Sequence, residues 1–329
     1  MRMIHAATAT NIKRGPGATM RLLGIDIGGT GIKGAPVDLV QGCLDAPRFR
    51  LATPQPATPQ AVLDTIALVV EHFAWTGPIG CTFPGVVRNG VVKTADHLDP
   101  AWVGTDAEKL LTEHFGVPAT VVNDADAAAL AESRYGAARG QTGMVLVVTL
   151  GTGIGTGLVY RGNLIPNSEF GHIEIRGRDA ELRASNTARE TRKMTWKKWG
   201  RHVARYLQAL EHLLNPDQIV LGGGIVKSAD HFKDQLKTST PVVFAALGNE
   251  AGIVGAALMA ATRTDSQGEE PAADTASSPR PPAGDPPPVR TAPATPSPSK
   301  PGAAAGSTVR KSSSSVRDPA HGTKARPHR

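Results

Sequence analysis

The chain carries one device twice. RLLGIDIGGTGIKGAPVDL, beginning at Arg21, reads as an apolar strand ending at Asp26, a glycine-rich turn, and a second strand from Ile32 to Val37. GMVLVVTLGTGIGTGLVYRG, beginning at Gly143, repeats that order: a long apolar strand, a Gly/Thr turn, and a returning strand. A strand–turn–strand unit heading each half of a chain points to an internal duplication. The helices and strands after each copy make both halves α/β.

After the first copy, PQAVLDTIALVVEHFAW has helical periodicity, PIGCTF is a short strand, and DAEKLLTEHFG is a helix with Asp106 near its start and Gly116 as its stop. ATVVNDADAAALAESRYG then reads as strand followed by helix, so the first half is a twisted sheet with covering helices. The second half continues with a helix from Thr195, the strand QIVLGGGIV running into a third glycine turn, and the small-residue helix AGIVGAALMAA. On the helix from Thr195, Trp196, Trp199, Val203, Leu207 and Leu210 form one apolar stripe, with Lys197, Lys198, Arg201 and Arg205 largely elsewhere. The stripe reads as core, and the basic face either as solvated surface or as a seat for a long polyanion.

With 329 residues, 40% of them apolar, the chain can bury a large core. The expected division is an arm over residues 1–20, an N-terminal α/β domain over 21–122 joined by a final helix at 250–262, and a C-terminal α/β domain over 123–249. Residues 264–329, rich in Pro, Ala and Ser, read as a disordered tail whose basic last stretch, VRKSSSSVRDPAHGTKARPHR, carries much of the formal net charge of +7. Cys43 and Cys81 form no CxxC pair, which argues against a disulfide framework or a thiolate zinc site and for a reducing cytoplasm. The first twenty residues lack the apolar core of a signal peptide, and no run reaches membrane-spanning length.

Two Gly/Thr turns facing one cleft present backbone N–H groups and hydroxyls with no side chains in the way, which suits phosphate oxygens. Neither is a P-loop, since GxxxxGK[ST] is absent. LGGG, at Leu221 to Gly224, adds a third such loop. Asp26, before the first turn, is placed either to hold magnesium through water or to cap the turn. Asn123 and Asp124 stand where a strand ends and a helix begins. Asp124 fits the carboxylate that phosphoryl transfer needs beside the accepting hydroxyl, and Asn123 fits a sugar hydroxyl; helix capping by both is the plainer alternative. Glu169, His172 and Glu181 lie in a polar, glycine-punctuated stretch without nearby cysteines, so sugar hydroxyls are better partners for them than zinc.

GIDIGGTGIKGA, PGVV, VVNDADAAALAE, TLGTGIGTGL, SEFGHIEI and IVLGGG resemble, in order and spacing, the ROK sugar kinases from about Leu22 to Ala261. NDADAAALAE, GHIEIRGRDAELRA, TWKKW and PVVFAALGNEAGIVGAA look most like the polyphosphate glucokinases of that family. The resemblance implies an actin-like, ribonuclease-H-like two-domain fold with a cleft between domains. It also implies transfer of phosphate from inorganic polyphosphate, in many members also from ATP, to the 6-hydroxyl of glucose, with Mg2+ and as a homodimer. By motif, Asp124 is the general base, and Asn123, Glu169, His172 and Glu181 hold the sugar, with Pro84 and Gly85 in the pocket wall. Donor phosphates fall to Asp26, Gly28, Gly29, Thr30, Lys33, Gly151, Thr152, Gly153, Gly155, Gly222 and Gly223. RGRDAELRASNT stands where many ROK kinases have a Cys-rich zinc loop, so no zinc is expected. His97 replaces a usual Asn and Gly248 a usual basic residue, which bear on sugar affinity and on polyanion binding respectively.

Three other readings remain open at this level. An ATP-only glucokinase or glucomannokinase is favoured by Gly248. A ROK transcriptional repressor needs an N-terminal helix-turn-helix of about sixty residues, and about twenty precede the first strand here. A non-catalytic sugar binder would make His97 and Gly248 signs of decay, against which stand Asp26, Asp124 and both turns.

Overall fold

A computed structural model describes residues 20–95 and 97–267, all within one compact unit. The first glycine turn joins β1 (Arg21–Ile27) to β2 (Ile32–Asp38) as an antiparallel hairpin, with Asp26 opposite Lys33. Two short strands, β3 (Cys43–Leu44) and β4 (Phe49–Leu51), add to β2. Helix α1 (Pro59–His72), capped by Thr58, leads to β5 (Ile79–Phe83), which runs parallel to β1. A small hairpin of β6 (Val87–Arg88) and β7 (Val91–Val92) follows, then α2 (Ala107–Phe115), with Asp106 as N-cap and Gly116 at φ 67° closing it. Next come β8 (Ala119–Asn123), parallel to β5, and α3 (Asp124–Arg134).

The second copy joins β9 (Met144–Leu150) to β10 (Ile154–Tyr160), with β11 (Asn163–Ile165) on the outer edge. Short helices α4 (Glu181–Ala184) and α5 (Asn186–Thr191) precede the long α6 (Trp196–Leu214). Strand β12 (Gln218–Gly222) pairs parallel to β9, β13 (Val242–Phe244) pairs parallel to β12, and α7 (Ala251–Gln267) ends the described chain. The sheet orders are β3-β2-β1-β5-β8 and β11-β10-β9-β12-β13, one hairpin and two parallel strands in each. The duplication read from the two turns is therefore a duplication of topology. Helix α7 runs past the expected end at 262; the expected N-terminal arm and the basic tail lie outside the described residues, apart from Met20 and 264–267.

Each sheet is buried on both faces, which is why its central strands read as unbroken apolar runs. Leu23, Ile25 and Ile27 face a core with α1 and α2, while Leu22 faces the core under α7. Leu146, Val148 and Leu150 face α6, while Val145 and Val147 face the core that contains Ala129 of α3. The alanine-rich character of α3 and α7 follows from lying against sheets and against each other. Gly24 and Gly80 sit side by side on β1 and β5, and a Cβ on either would fall 2.0 or 1.9 Å from a carbonyl oxygen of α7. Gly255 of α7 meets Ala127 of α3 just as closely, at 1.9 Å.

Candidate active site

The carboxyl ends of three parallel strands set out the floor of the site. Asp26 on β1 is in register with Thr82 on β5, whose neighbour Phe83 is in register with Asn123 on β8. Asp26 Oδ1 accepts from the Thr82 hydroxyl at 2.8 Å, and Lys33 Nζ lies 2.9 Å from its other oxygen. Gly252, in the first turn of α7, comes so close that a Cβ there would be 2.8 Å from that oxygen. Lys33, expected to hold donor phosphate, is thus already paired with Asp26.

Asn123 realises the capping alternative: its Oδ1 accepts from the N–H groups of Ala125 and Asp126 at 2.9 and 3.1 Å. Its Nδ2 also donates to the Gly85 carbonyl at 3.1 Å, which ties the Pro84–Gly85 wall to the start of α3. Gly85 needs to be glycine, because a Cβ would lie 2.2 Å from the Thr94 carbonyl oxygen. Asp124, next along, has its carboxyl pKa raised to about 7. Loss of hydration among the surrounding walls is the largest cause, followed by the charge of Asp26 and, more weakly, Glu169; the Ala125 N–H it accepts pulls the other way. The side chain is open to solvent along one edge, where water offsets part of the first cause, and the like charges act in the same upward direction.

The two expected phosphate turns are tight and open at the surface. In the first, the Gly28 N–H donates to Gly31 O at 3.1 Å and Thr53 Oγ1 to Gly28 O at 2.5 Å. His97 lies against Gly29, so the residue expected to affect the sugar also abuts this turn. In the second, the Gly151 N–H donates to Gly153 O at 3.0 Å, and the N–H groups of Asn186 and Thr187 point at Gly151 O. Thr30 and Thr152 are exposed. In the third loop, Gly223 at φ 87° approaches the end of β9, where a Cβ would be 2.5 Å from Leu150 O; Gly222 beside it lies near Thr149 and Ala245. Gly155 lies inside β10, where a Cβ would meet Thr149 Oγ1 at 2.6 Å and Ala125 Cβ at 2.8 Å, so its missing side chain also serves the packing of α3.

Glu169 lies near enough for its charge to raise the carboxyls of both Asp124 and Asp126. His172 is not free on both ring nitrogens: Nδ1 is 2.9 Å from Asp179 Oδ2, and that bond raises its pKa, with Glu181 and Glu169 adding. Glu181 spends Oε2 on the Ile154 N–H at 2.8 Å, bracing the second turn and leaving its other oxygen for a ligand. Among the described residues, no three His, Cys, Asp or Glu side chains gather to hold a metal ion. Asp26, a single carboxylate paired with Lys33, suits a magnesium ion that takes most of its oxygens from elsewhere.

Several residues were not singled out in the sequence. Arg50, exposed on β4, donates from Nη2 to Thr30 O at 3.2 Å and lies across Gly31, a second cation at the first turn. Asp179 orients His172 and accepts from the Glu181 N–H at 2.7 Å. Asp126 is buried in the first turn of α3, with its pKa raised to about 7 mainly by burial. Their signal was weak: each reads as one more surface charge, and only partners distant in sequence give it a role. On α6 the stripe is core as expected. Trp199 is buried with Nε1 donating to Ala184 O and Ser185 O, and Trp196 is half-buried under the Arg189 guanidinium at 4.0 Å. The cations Arg205, Arg183, Lys198 and Arg192 surround His202 and, after burial, help lower its pKa.

Two sheets of one topology, each begun by a hairpin with a glycine turn, define an actin-like sugar kinase fold. A solved ROK glucokinase of Streptomyces griseus, in complex with glucose and AMPPNP, matches with a TM-score of 0.65 at 25% identity, over 74% of this chain and all of that one. The ROK family profile matches residues 22–185, and polyphosphate glucokinase of Mycobacterium tuberculosis is 49% identical over 261 residues, 78% of this chain and 98% of the relative. The chain belongs to the ROK family. The inorganic polyphosphate/ATP-glucomannokinase of Arthrobacter sp. strain KM matches with a TM-score of 0.71 at 50% identity, over 74% of this chain and 99% of that one.

Proposed function

We propose that the protein is a glucokinase that uses inorganic polyphosphate, and also ATP, to make glucose 6-phosphate. The observation that carries this reading is similarity to polyphosphate glucokinase over 98% of that relative, with Asp124, the first residue of α3, close enough to Asp26 at the head of the first glycine turn to feel its charge. The C6 hydroxyl oxygen of glucose attacks the terminal phosphorus, and its proton passes to Asp124. The bond to the bridging oxygen breaks, and the shortened polyphosphate, or ADP, leaves with the electron pair. Asp124 suits this role because a pKa near 7 gives a stronger base than an ordinary carboxylate that is still ionised near neutral pH.

Asn123, Glu169, His172, Glu181, Pro84 and Gly85 take the sugar, with the remaining Asn123 N–H and the second Glu181 oxygen as the groups left to it. The turns at Gly28 to Thr30 and Gly151 to Gly153, with Gly222 and Gly223, take the donor, and Lys33 and Arg50 supply positive charge there. Magnesium bound with the phosphates, reached from Asp26 through water, would neutralise charge on the donor. The cations around His202 offer a polyanion further attraction. In this reading the two sheets form two closing domains, 21–122 with the final helix and 123–249. The enzyme works in the cytoplasm as a homodimer, a reading in keeping with two unpaired cysteines. No helix among the described residues is long and apolar enough to cross a membrane.

A strictly ATP-dependent glucokinase is the second reading, favoured by Gly248, where φ is 55° and no atom lies within reach of a Cβ. Purified protein with magnesium and glucose, given long-chain polyphosphate or ATP, each freed of the other, decides between them. Product from polyphosphate supports the first reading, product from ATP alone the second, and no product from either removes both.

A further inference from the structure

Asp126 is 1% exposed, and the mechanism above does not use it. Its Oδ2 accepts from the Asn167 N–H at 2.7 Å, whereas its Oδ1 is buried without a hydrogen-bond partner among the described residues. Asn167 stands at φ 60°, a conformation Asn tolerates, and its own Oδ1 accepts from the Val87 N–H at 3.0 Å. Val87 opens the small hairpin just beyond Pro84 and Gly85. On its other side, Asn167 is followed by Ser168 and Phe170, both tied to Thr156 of β10, with Glu169 between them.

Hydrogen bonds thus run from the first turn of α3 through Asn167 to the β6–β7 hairpin, and the peptide chain leads from Asn167 straight into the Glu169 segment that Thr156 ties down. Stability alone does not explain a buried carboxyl with a spare oxygen beside two like charges, and such local conflicts concentrate at functional sites. We infer that Asp126 is a positioning residue of the sugar site: its carboxyl fixes Asn167, and through it holds the Glu169 loop and the β6–β7 hairpin in register with Asp124. Asn123 does the same for Gly85, so one helical turn sets base and sugar walls together. The donor turns are not on this chain of bonds. The inference rests on the glucokinase reading, and turnover of glucose by the parent tests that reading separately.

Asp126→Ala removes the acceptor and should raise the KM for glucose about tenfold, while the KM for donor stays within about twofold. Asp126→Asn keeps an acceptor oxygen and should hold the glucose KM within about threefold of the parent. Asn167→Gly keeps the backbone conformation, cuts only the link to Val87, and should raise the glucose KM alone. A glucose KM unchanged in Asp126→Ala, a donor KM rising with it, or no rescue by Asp126→Asn overturns the inference. If Asp126→Ala does not fold, Asn167→Gly decides by the same two constants. If the parent turns over no glucose, amide exchange at Asn167 and Val87 in Asp126→Ala decides: faster exchange at both supports the chain of bonds, and parent-like exchange refutes it.

Discussion

Lowering the pH should switch off Asp124 before any ordinary carboxylate is touched. With a pKa of about 7, about nine-tenths of this carboxyl is ionised at pH 8 and about one-tenth at pH 6. Because only the ionised form accepts the hydroxyl proton, kcat/KM for glucose should fall about tenfold across that interval and then about tenfold per further unit. The assay is direct quantification of glucose 6-phosphate at saturating donor, run once with polyphosphate and once with ATP. A limb that belongs to the enzyme stands at one pH with both donors, whereas a limb set by donor protonation moves between them. Glu169→Gln removes one like charge and so stabilises the ionised base, which shifts the limb to lower pH whatever it does to sugar affinity. Activity that stays level down to pH 5, or a limb indifferent to Glu169, would refute the reasoning.

Three further outcomes rest on buried groups. Asp126, raised to about 7, binds a proton in the native state over the window from about 4 to 7 in which the unfolded chain has released it, so its contribution to stability is lost as pH rises through that window. Denaturation of Asp126→Asn against the parent should therefore show the difference moving in favour of the variant by up to about 4 kcal/mol between pH 4 and pH 8. Glu132, 1% exposed, accepts from the N–H groups of Ala137, Ala246 and Leu247 at 2.8, 3.1 and 2.8 Å; Glu132→Ala should cost about 3 kcal/mol and lower the melting temperature by about 6 °C or more. Gly80→Ala places a methyl group against the Ala256 carbonyl and should cost about 3 kcal/mol in urea denaturation, since backbone must move.

The two hairpins, the main helices and the strand ends bearing Asp26 and Asn123 were legible because period and glycine punctuation are local signals. Strands β3, β4, β11 and β13 were not, since runs of two or three residues owe their state to the partner they pair with. The same divide runs through the site. Asp124 announced itself by position, but Asp126 needed Asn167, Asp179 needed His172, and Arg50 needed the turn at Thr30, partners 41, 7 and 20 residues away. The packing role of Gly155 was hidden for the same reason, since only Ala125, which lies against it, shows that a helix needs the space there.

The central claim is that Asp124 takes the proton from the sugar hydroxyl. Its most direct test is Asp124→Asn, with glucose affinity from calorimetry and turnover from product formation measured on one preparation. The amide keeps the shape and cannot accept the proton, so the dissociation constant should stay within a few-fold while kcat falls by about 10²–10⁴. Turnover near that of the parent would remove Asp124 as the base and leave the site without its proposed chemistry.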